Sequence, residues 1–348
     1  MSKETTLSDY AALADKAYGD QAFDYHLPDH IVREPMSVEL FNRNENFHAE
    51  VYRNTETGEI IVAVRGTKGA GDIRDWPEAA VGVDTEQTPT AKAYVEAVIV
   101  DAREAYPGAT VTLVGHSLGG QQVQEMLTET RKEFPGDGNI RGIGFNAPGI
   151  GLFEADSGID YVEVNVEGDI VRPGGFSSRG DTEIVVDLGH APISLDAHKM
   201  AGLALALEGS GDVGSMTFEE INGISGKLRV DLTDQRSQVD RLSDKHEELE
   251  AGRIKLDRVD DRVAELETTF LRPAELTVVD LEVRRLEYER LLENQRELEQ
   301  GVDILRSEVA LGMRCVSGGT AACRGETTVR RKPLLLSPCL ICVVLTEG

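Results

Sequence analysis

The stretch "VTLVGHSLGG", residues 111–120, decides how this chain folds. Apolar, β-forming residues lead into Gly115, Ser117 and Gly119, and a helical pattern follows at 121–134. A buried strand, a sharp turn at a serine and a helix are the parts that present a serine hydroxyl for nucleophilic attack. The glycines give room for the tight turn and for close packing of the helix on the strand. An ordinary glycine-rich turn between a strand and a helix is the alternative interpretation.

Strand and helix patterns alternate on both sides of this stretch. Upstream, two apolar runs flank a Gly-containing turn at 55–58, which predicts a β-hairpin. The predicted elements, in chain order, are strands at 47–54 and 59–67, a helix at 88–105, a strand at 109–115, a helix at 121–134, and strands at 140–149 and 161–166. This order predicts an α/β fold with a mainly parallel sheet flanked by crossover helices.

Charge and targeting signals limit the partners and the location of the protein. The chain has 348 residues and a formal net charge of -26. Such an acidic surface argues against a nucleic-acid partner and against simple electrostatic binding to anionic lipid. The N-terminal residues are polar and show no signal-peptide core, and no apolar run is long enough to span a membrane. We therefore expect a cytoplasmic protein, with signal-independent export left open.

Composition divides the chain into four parts. Residues 1–208 carry the α/β pattern, 209–225 are rich in Gly and Ser and predict a linker, and 226–311 predict a helical coiled-coil region. Residues 312–348 are basic, contain all four cysteines and predict a disordered tail. Because the main fold has no cysteine, it does not depend on disulfides, which fits a reducing compartment.

Apolar residues recur at heptad spacing within the helical region. They are Leu232, Val239, Leu242 and Leu249 in its first half and Leu298, Val302, Leu305 and Val309 in its second half. Pro273 interrupts the pattern, so we expect two helices at about 228–271 and 274–311. They form an antiparallel hairpin, or a bent rod in a homo-oligomer, or they bind a partner helix. His246 is expected on a solvated helix face among charged neighbours.

A nucleophilic serine needs a histidine as general base and a carboxylate that holds this histidine. In folds with this serine turn, the chain order is serine, acid, histidine. His190 and His198 are the histidines that follow Ser117 before the helical region. Asp169 comes just after a strand, where catalytic groups of parallel sheets collect, and Asp187 is the second candidate for the acid.

Five segments in this order resemble the class 3 lipase branch of the α/β-hydrolases. They are "EIIVAVRGT" (59–67), Asp75-Trp76, "VTLVGHSLGG" (111–120), "FNAPG" (145–149) and "GDIV" (168–171). The resemblance covers about residues 8–205 and does not include the helical region or the tail. It implies the α/β-hydrolase fold for these residues, whereas the long helical region that follows is predicted from its own apolar pattern.

The resemblance also assigns roles to particular residues. It implies Asp169 as the catalytic acid and His198, which stands just before an apolar helix, as the base. His190 is the alternative base. The oxyanion of the reaction would be held by Thr67, at the end of the "RGT" strand, and by the backbone N–H of Leu118.

The resemblance implies a serine hydrolase of lipid esters, either a triacylglycerol lipase or a phospholipase A1-like enzyme, that forms an acyl-enzyme on Ser117. It implies no cofactor and no metal, an acyl-ester substrate, and transient contact with a membrane surface. Two other functions stay open. The hydrolase domain is degenerate and the chain is an adaptor that acts through its coiled coil, or the chain is a phospholipase effector delivered without a signal peptide.

Overall fold

The computed structural model describes most of the chain. The described residues are 4–19, 22–23, 25, 27–35, 47–66, 88–134, 137–148, 158–171, 180, 182–224, 226–270 and 278–317. Thr67, the pair Asp75-Trp76, Pro273 and the tail from residue 318 onward lie outside these residues.

The described residues form one eight-stranded sheet whose strands lie in chain order. The strands are β1 (Ile31–Arg33), β2 (Ala49–Asn54), β3 (Ile60–Val64), β4 (Val111–His116), β5 (Ile140–Phe145), β6 (Tyr161–Val166), β7 (Thr182–Asp187) and β8 (Gly226–Asp231). The first two pairings are antiparallel, and every pairing from β3 to β8 is parallel. The predicted hairpin and the predicted mainly parallel sheet are therefore confirmed, and the architecture is that of an α/β-hydrolase.

Helices cover both faces of the sheet. They are α1 (Leu7–Lys16), α2 (Thr88–Ala105), α3 (Leu118–Glu133), α4 (Met200–Gly209), α5 (Phe218–Asn222), α6 (Arg236–Phe270) and α7 (Val278–Ser317). Helices α2 and α3 share one apolar core with the sheet, whereas α1 and α4 share the other core with it. The strands between these cores, such as β3 and β4, are buried along their whole length, as expected for strands covered on both faces.

The sheet extends beyond the domain end predicted at residue 208. Residues 209–225, predicted as a linker, contain α5, which is capped by Thr217 and Glu220 and buries Phe218 and Ile221. Residues 226–231, assigned to the helical region, form the edge strand β8. Partly buried and exposed residues alternate in the second half of β8, with the period of two that a strand requires. Helix α1 was not predicted from the sequence, although Thr6 and Asp9 form a capping box at its start.

The helical region folds back on itself as an antiparallel hairpin of α6 and α7. Arg262 of α6 pairs with Glu287 of α7 at 2.7 Å, and Lys245 pairs with Glu308. The residue numbers rise along one helix as they fall along the other, so the two helices run in opposite directions. The described residues therefore contain the antiparallel hairpin, and a homo-oligomer or a partner helix bound by this region stays a prediction.

The base of the hairpin packs against the α/β core. The predicted heptad residues Val239, Leu242 and Leu249 are buried in the same core cluster as Leu203 of α4. His246, expected on a solvated face, is only 9% exposed and its ring stacks on Phe23 at 4.2 Å. The prediction for His246 is wrong because the flanking charged residues do not reveal which side of α6 meets another element.

None of the helices in the described part of the chain is both long enough and apolar enough to cross a membrane.

Candidate active site

Ser117 lies at the turn between β4 and α3, at the carboxyl end of the parallel strands. Its backbone has φ +57 and ψ -128, a conformation that residues other than glycine rarely adopt. Its N–H donates to the Phe145 carbonyl at 2.9 Å, and its own carbonyl accepts the N–H of Gly120 at 2.9 Å. These backbone bonds fix the serine at the top of the sheet, at the start of a helix.

The two glycines around the serine are required by close packing. A Cβ on Gly115 would lie 2.4 Å from the carbonyl oxygen of Gly119. A Cβ on Gly119 would lie 2.4 Å from the carbonyl oxygen of Val64, on the neighbouring strand β3. Only glycine permits this approach of the helix to the strands, as the motif predicts.

Asp169 and His198 reach Ser117 from two loops that follow β6 and β7. Asp169 stands in the turn after β6, and its Oδ1 accepts the N–H of Val171 at 2.7 Å. His198 ends a short 3-10 turn directly before α4. The N–H of Ser194 donates to the Gly168 carbonyl at 2.7 Å, which ties the second loop to the first. The loops after β6 and β7 thus bring the aspartate and the histidine together.

The three side chains form one continuous hydrogen-bond chain. Nδ1 of His198 lies 2.9 Å from Oδ2 of Asp169, and Nε2 of His198 lies 2.9 Å from Oγ of Ser117. A carboxylate only accepts hydrogen bonds, so Nδ1 carries the proton. Nε2 of the neutral ring is then an acceptor for the Ser117 hydroxyl, which is the tautomer that a general base needs. All three residues are buried.

Asn146, within the "FNAPG" segment, holds this arrangement from below. Its φ is +48, and its Oδ1 accepts the N–H of Val166 at 2.8 Å. Its Nδ2 donates to the carbonyl of Ala197 at 3.0 Å. Asn146 therefore connects the end of β5 to the end of β6 and to the turn that carries His198. The motif alone did not predict this role, because the two partners of Asn146 lie 20 and 51 residues further along the chain.

The other two candidates for base and acid lie elsewhere. His190 lines a cavity that also includes Gly168 and Asp169, and burial, together with the nearby Arg236 guanidinium, lowers the pKa of His190. The carboxylate of Asp187 accepts the N–H of Gly189 at 2.7 Å and so closes the turn after β7. The structure brings His198, rather than His190, into contact with Ser117.

Of the two residues predicted to hold the oxyanion, the structure describes Leu118 but not Thr67. Leu118 is the first residue of α3, where backbone N–H groups have no acceptor within the helix. Thr67 lies outside the described residues, but Gly66 directly before it is described. A Cβ on Gly66 would lie 3.3 Å from Cβ of Ser117, so Gly66 lies beside the serine.

Comparison with known proteins finds one family model that matches part of the chain. The model, described as a Tle-like phospholipase domain, matches residues 9–133. The match includes Ser117 and ends before Asp169 and His198. It confirms the resemblance to lipases over the residues that it covers. None of the curated proteins compared with the chain matches it.

Several solved lipase structures are similar to the chain. Triacylglyceride lipase of Rhizomucor miehei is 19% identical, with 51% of this chain and 78% of that chain covered and a TM-score of 0.39. Lip2 lipase of Yarrowia lipolytica is 13% identical, covering 50% of this chain and 77% of that chain at a TM-score of 0.36. The lipase of Rhizopus microsporus var. chinensis is 20% identical, covering 53% and 74%, at a TM-score of 0.36.

Proposed function

We propose that this protein is a serine hydrolase that cleaves carboxylic esters of lipids. Ser117 is the nucleophile, His198 the general base and Asp169 the carboxylate that orients His198. The observation that carries the proposal is the buried hydrogen-bond chain from Oγ of Ser117 through both ring nitrogens of His198 to Asp169. The strained backbone of Ser117 supports it, because strain of this kind concentrates at functional sites.

The reaction follows from the proton positions. Oγ of Ser117 attacks the ester carbonyl carbon while its proton passes to Nε2 of His198. Asp169 stabilises the imidazolium that forms. When the tetrahedral intermediate collapses, the bond to the alcohol breaks and His198 donates its proton to the leaving oxygen. Water then loses a proton to His198 and attacks the acyl carbon. The second tetrahedral intermediate collapses by breaking the bond to Oγ of Ser117, which takes the proton back from His198 as the fatty acid is released.

The negative charge on the tetrahedral intermediate needs donors that are in place before the reaction. We assign this role to the backbone N–H of Leu118, at the positive end of the α3 dipole, and to Thr67. The position of Gly66 beside Ser117 supports the assignment of Thr67. The reaction needs no cofactor for any of these steps.

Two observations support a lipid as the substrate, and a phospholipid in particular. The family model that matches residues 9–133 is described as a phospholipase domain. In addition, Ile193 and Leu195, on the loop just before His198, are 64% and 49% exposed. Large apolar side chains exposed together mark contact with an apolar partner. The net charge of -26 favours lipids with neutral or zwitterionic headgroups over anionic ones.

The test is hydrolysis of phosphatidylcholine vesicles, with fatty acid and lysophospholipid measured as products and a triacylglycerol emulsion assayed in parallel. We expect release of one fatty acid per phospholipid, a slower rate when anionic lipid is mixed into the vesicles, and no release by Ser117→Ala. Circular dichroism confirms that the variant is folded.

Two results would contradict this proposal. One is equal release by Ser117→Ala and the parent protein, which removes the serine from the reaction. The other is no release of any acyl group by folded parent protein, after which the adaptor function through the helical hairpin becomes the better account.

A further inference from the structure

A half-buried tyrosine, Tyr18, and a buried histidine, His116, lie next to His198 and are not part of the proposed triad. His116 is the last residue of β4 and directly precedes Ser117. Its Nε2 lies 2.7 Å from the carbonyl oxygen of His198, and its Nδ1 lies 2.8 Å from the hydroxyl of Tyr18. The two imidazole rings are 4.9 Å apart. His116 therefore contacts the backbone of the residue proposed as the general base.

The partners of His116 fix where its proton lies. The carbonyl of His198 only accepts, so Nε2 of His116 carries the proton and donates. Nδ1 of the neutral ring then accepts from the Tyr18 hydroxyl. Burial, together with the neighbouring His198 ring, lowers the pKa of His116 well below its ordinary value. Burial likewise raises the pKa of the Tyr18 hydroxyl, which keeps its proton.

The same tyrosine also reaches the segment that leads into Thr67. The hydroxyl of Tyr18 lies close to the backbone of Gly66. A Cβ on Gly66 would lie 2.7 Å from this oxygen and 2.5 Å from the His116 carbonyl, so no other residue fits without displacing them. Tyr18, His116 and the carbonyl of His198 thus form a second hydrogen-bond chain, and Gly66 packs against it.

We propose that His116 and Tyr18 are positioning residues for the general base, an inference that rests on the proposed hydrolase function. His198 belongs to a single 3-10 turn, and such a short element has few backbone bonds of its own. The hydrogen bond from Nε2 of His116 to the His198 carbonyl fixes the position of this turn. The hydrogen bond to Asp169 then fixes the orientation of the His198 ring. Tyr18 holds His116 in the tautomer that donates, and its hydroxyl lies close to Gly66.

The test compares turnover in three variants of the full chain. His116→Phe keeps the ring shape but removes both hydrogen bonds, and His116→Gln restores an amide donor near the Nε2 position. Tyr18→Phe removes only the hydroxyl that contacts Nδ1 of His116. The matched control is Tyr288→Phe, which removes an exposed hydroxyl bonded to Glu267 on the hairpin.

We expect His116→Phe to lower kcat by about 10²-fold, as a small misplacement of a catalytic group does. Tyr18→Phe should lower kcat by roughly 10-fold, the effect of one lost hydrogen bond. KM should stay unchanged in both, and His116→Gln should recover most of the loss. Tyr288→Phe should match the parent protein.

Active sites are titrated with a fluorophosphonate so that kcat is expressed per reactive Ser117. A residue needed only for folding lowers the number of titrated sites and leaves kcat per site unchanged, which would overturn the inference. Parent-like kcat per site in Tyr18→Phe would also overturn it, even if His116→Phe fails to fold, and the proposed function would stand. If the folded parent protein neither titrates nor hydrolyses esters, the proposed function fails, and the inference fails with it.

Discussion

At the scale of single residues, the site depends on a conformation that costs free energy. Ser117 at φ +57 carries a strain of about 1–3 kcal/mol, which the surrounding structure must offset. The close contacts of Gly115 and Gly119 supply this support, because they hold α3 against β3 and β4. The backbone at Ser117 is thereby held in place, and its Oγ stays within hydrogen-bond distance of His198.

The assignment of the base predicts a large difference between two histidine variants. His198→Gln should lower ester hydrolysis by roughly 10⁴-fold or more, since a glutamine cannot take the Ser117 proton. His190→Gln should keep the parental rate within about 2-fold, because the ring that contacts Ser117 belongs to His198 and not to His190. Initial rates on a soluble p-nitrophenyl ester measure both. A loss of activity in His190→Gln and not in His198→Gln would reverse the assignment.

The sequence was sufficient to predict Ser117 and Asp169, because each follows a strand in a short motif with a physical reason. It was not sufficient to choose between His190 and His198. That choice depends on how the loop after β7 is tied to Gly168, and no local pattern encodes this bond. The Tyr18–His116 contact joins residues 98 positions apart in the chain, so sequence patterns could not reveal it.

At the scale of secondary-structure elements, α4 connects the site to the helical hairpin. This helix starts two residues after His198, and it packs against both α6 and α7. Lys199, between the histidine and the helix, pairs with Glu247 of α6 at 2.8 Å. The hairpin is therefore part of the support of α4, and the base of the hairpin is more than an appended stalk.

This packing predicts that two apolar residues on the same helix differ in their effect on stability. Leu242 is 1% exposed and lies in the core shared with α4, so Leu242→Ala should cost about 2–5 kcal/mol of unfolding free energy. Ile254 is 51% exposed, so Ile254→Ala should change it by less than about 0.5 kcal/mol. Urea unfolding measures both. Equal effects would show that the hairpin does not dock on the core in solution.

The ends of the elements were harder to predict than their existence. The apolar patterns of β4 and α2 gave these elements almost to the residue. Strand β8 was missed because only Leu228 and Val230 are partly buried in it, which leaves a weak alternation next to a strong helical pattern. An edge strand with one half-buried face is stabilised by its pairing with β7, and that pairing is a long-range property.

At the scale of the whole molecule, one buried carboxyl group makes stability depend on pH. Asp15 of α1 is 4% exposed and accepts the N–H of Phe23 at 3.0 Å. Burial raises the pKa of Asp15 from its ordinary value of 3.8 to about 6, although the bond from Phe23 opposes the shift. The folded protein therefore keeps a proton on Asp15 at a pH where the unfolded chain has lost it.

The sign of the effect follows from this proton. The contribution of Asp15 to the free energy of unfolding is complete below about pH 4. This contribution, on the order of 3 kcal/mol in total, is lost as the pH rises to about 6. Asp15→Asn should lack this loss, so its stability relative to the parent protein should increase from about pH 4 to about pH 7. Urea unfolding at several pH values measures the difference, with exposed Asp234→Asn as control. A difference that does not change with pH would contradict the pKa of Asp15.

The most direct test of the central claim is mass spectrometry of the intact protein after reaction with a fluorophosphonate, followed by peptide mapping. The account predicts one adduct per chain, located on Ser117, formed rapidly by the parent protein and by His190→Gln. It predicts no adduct in Ser117→Ala and very slow reaction in His198→Gln. A folded parent protein that forms no adduct, or forms it on another residue, would contradict the proposal that Ser117 is an activated nucleophile.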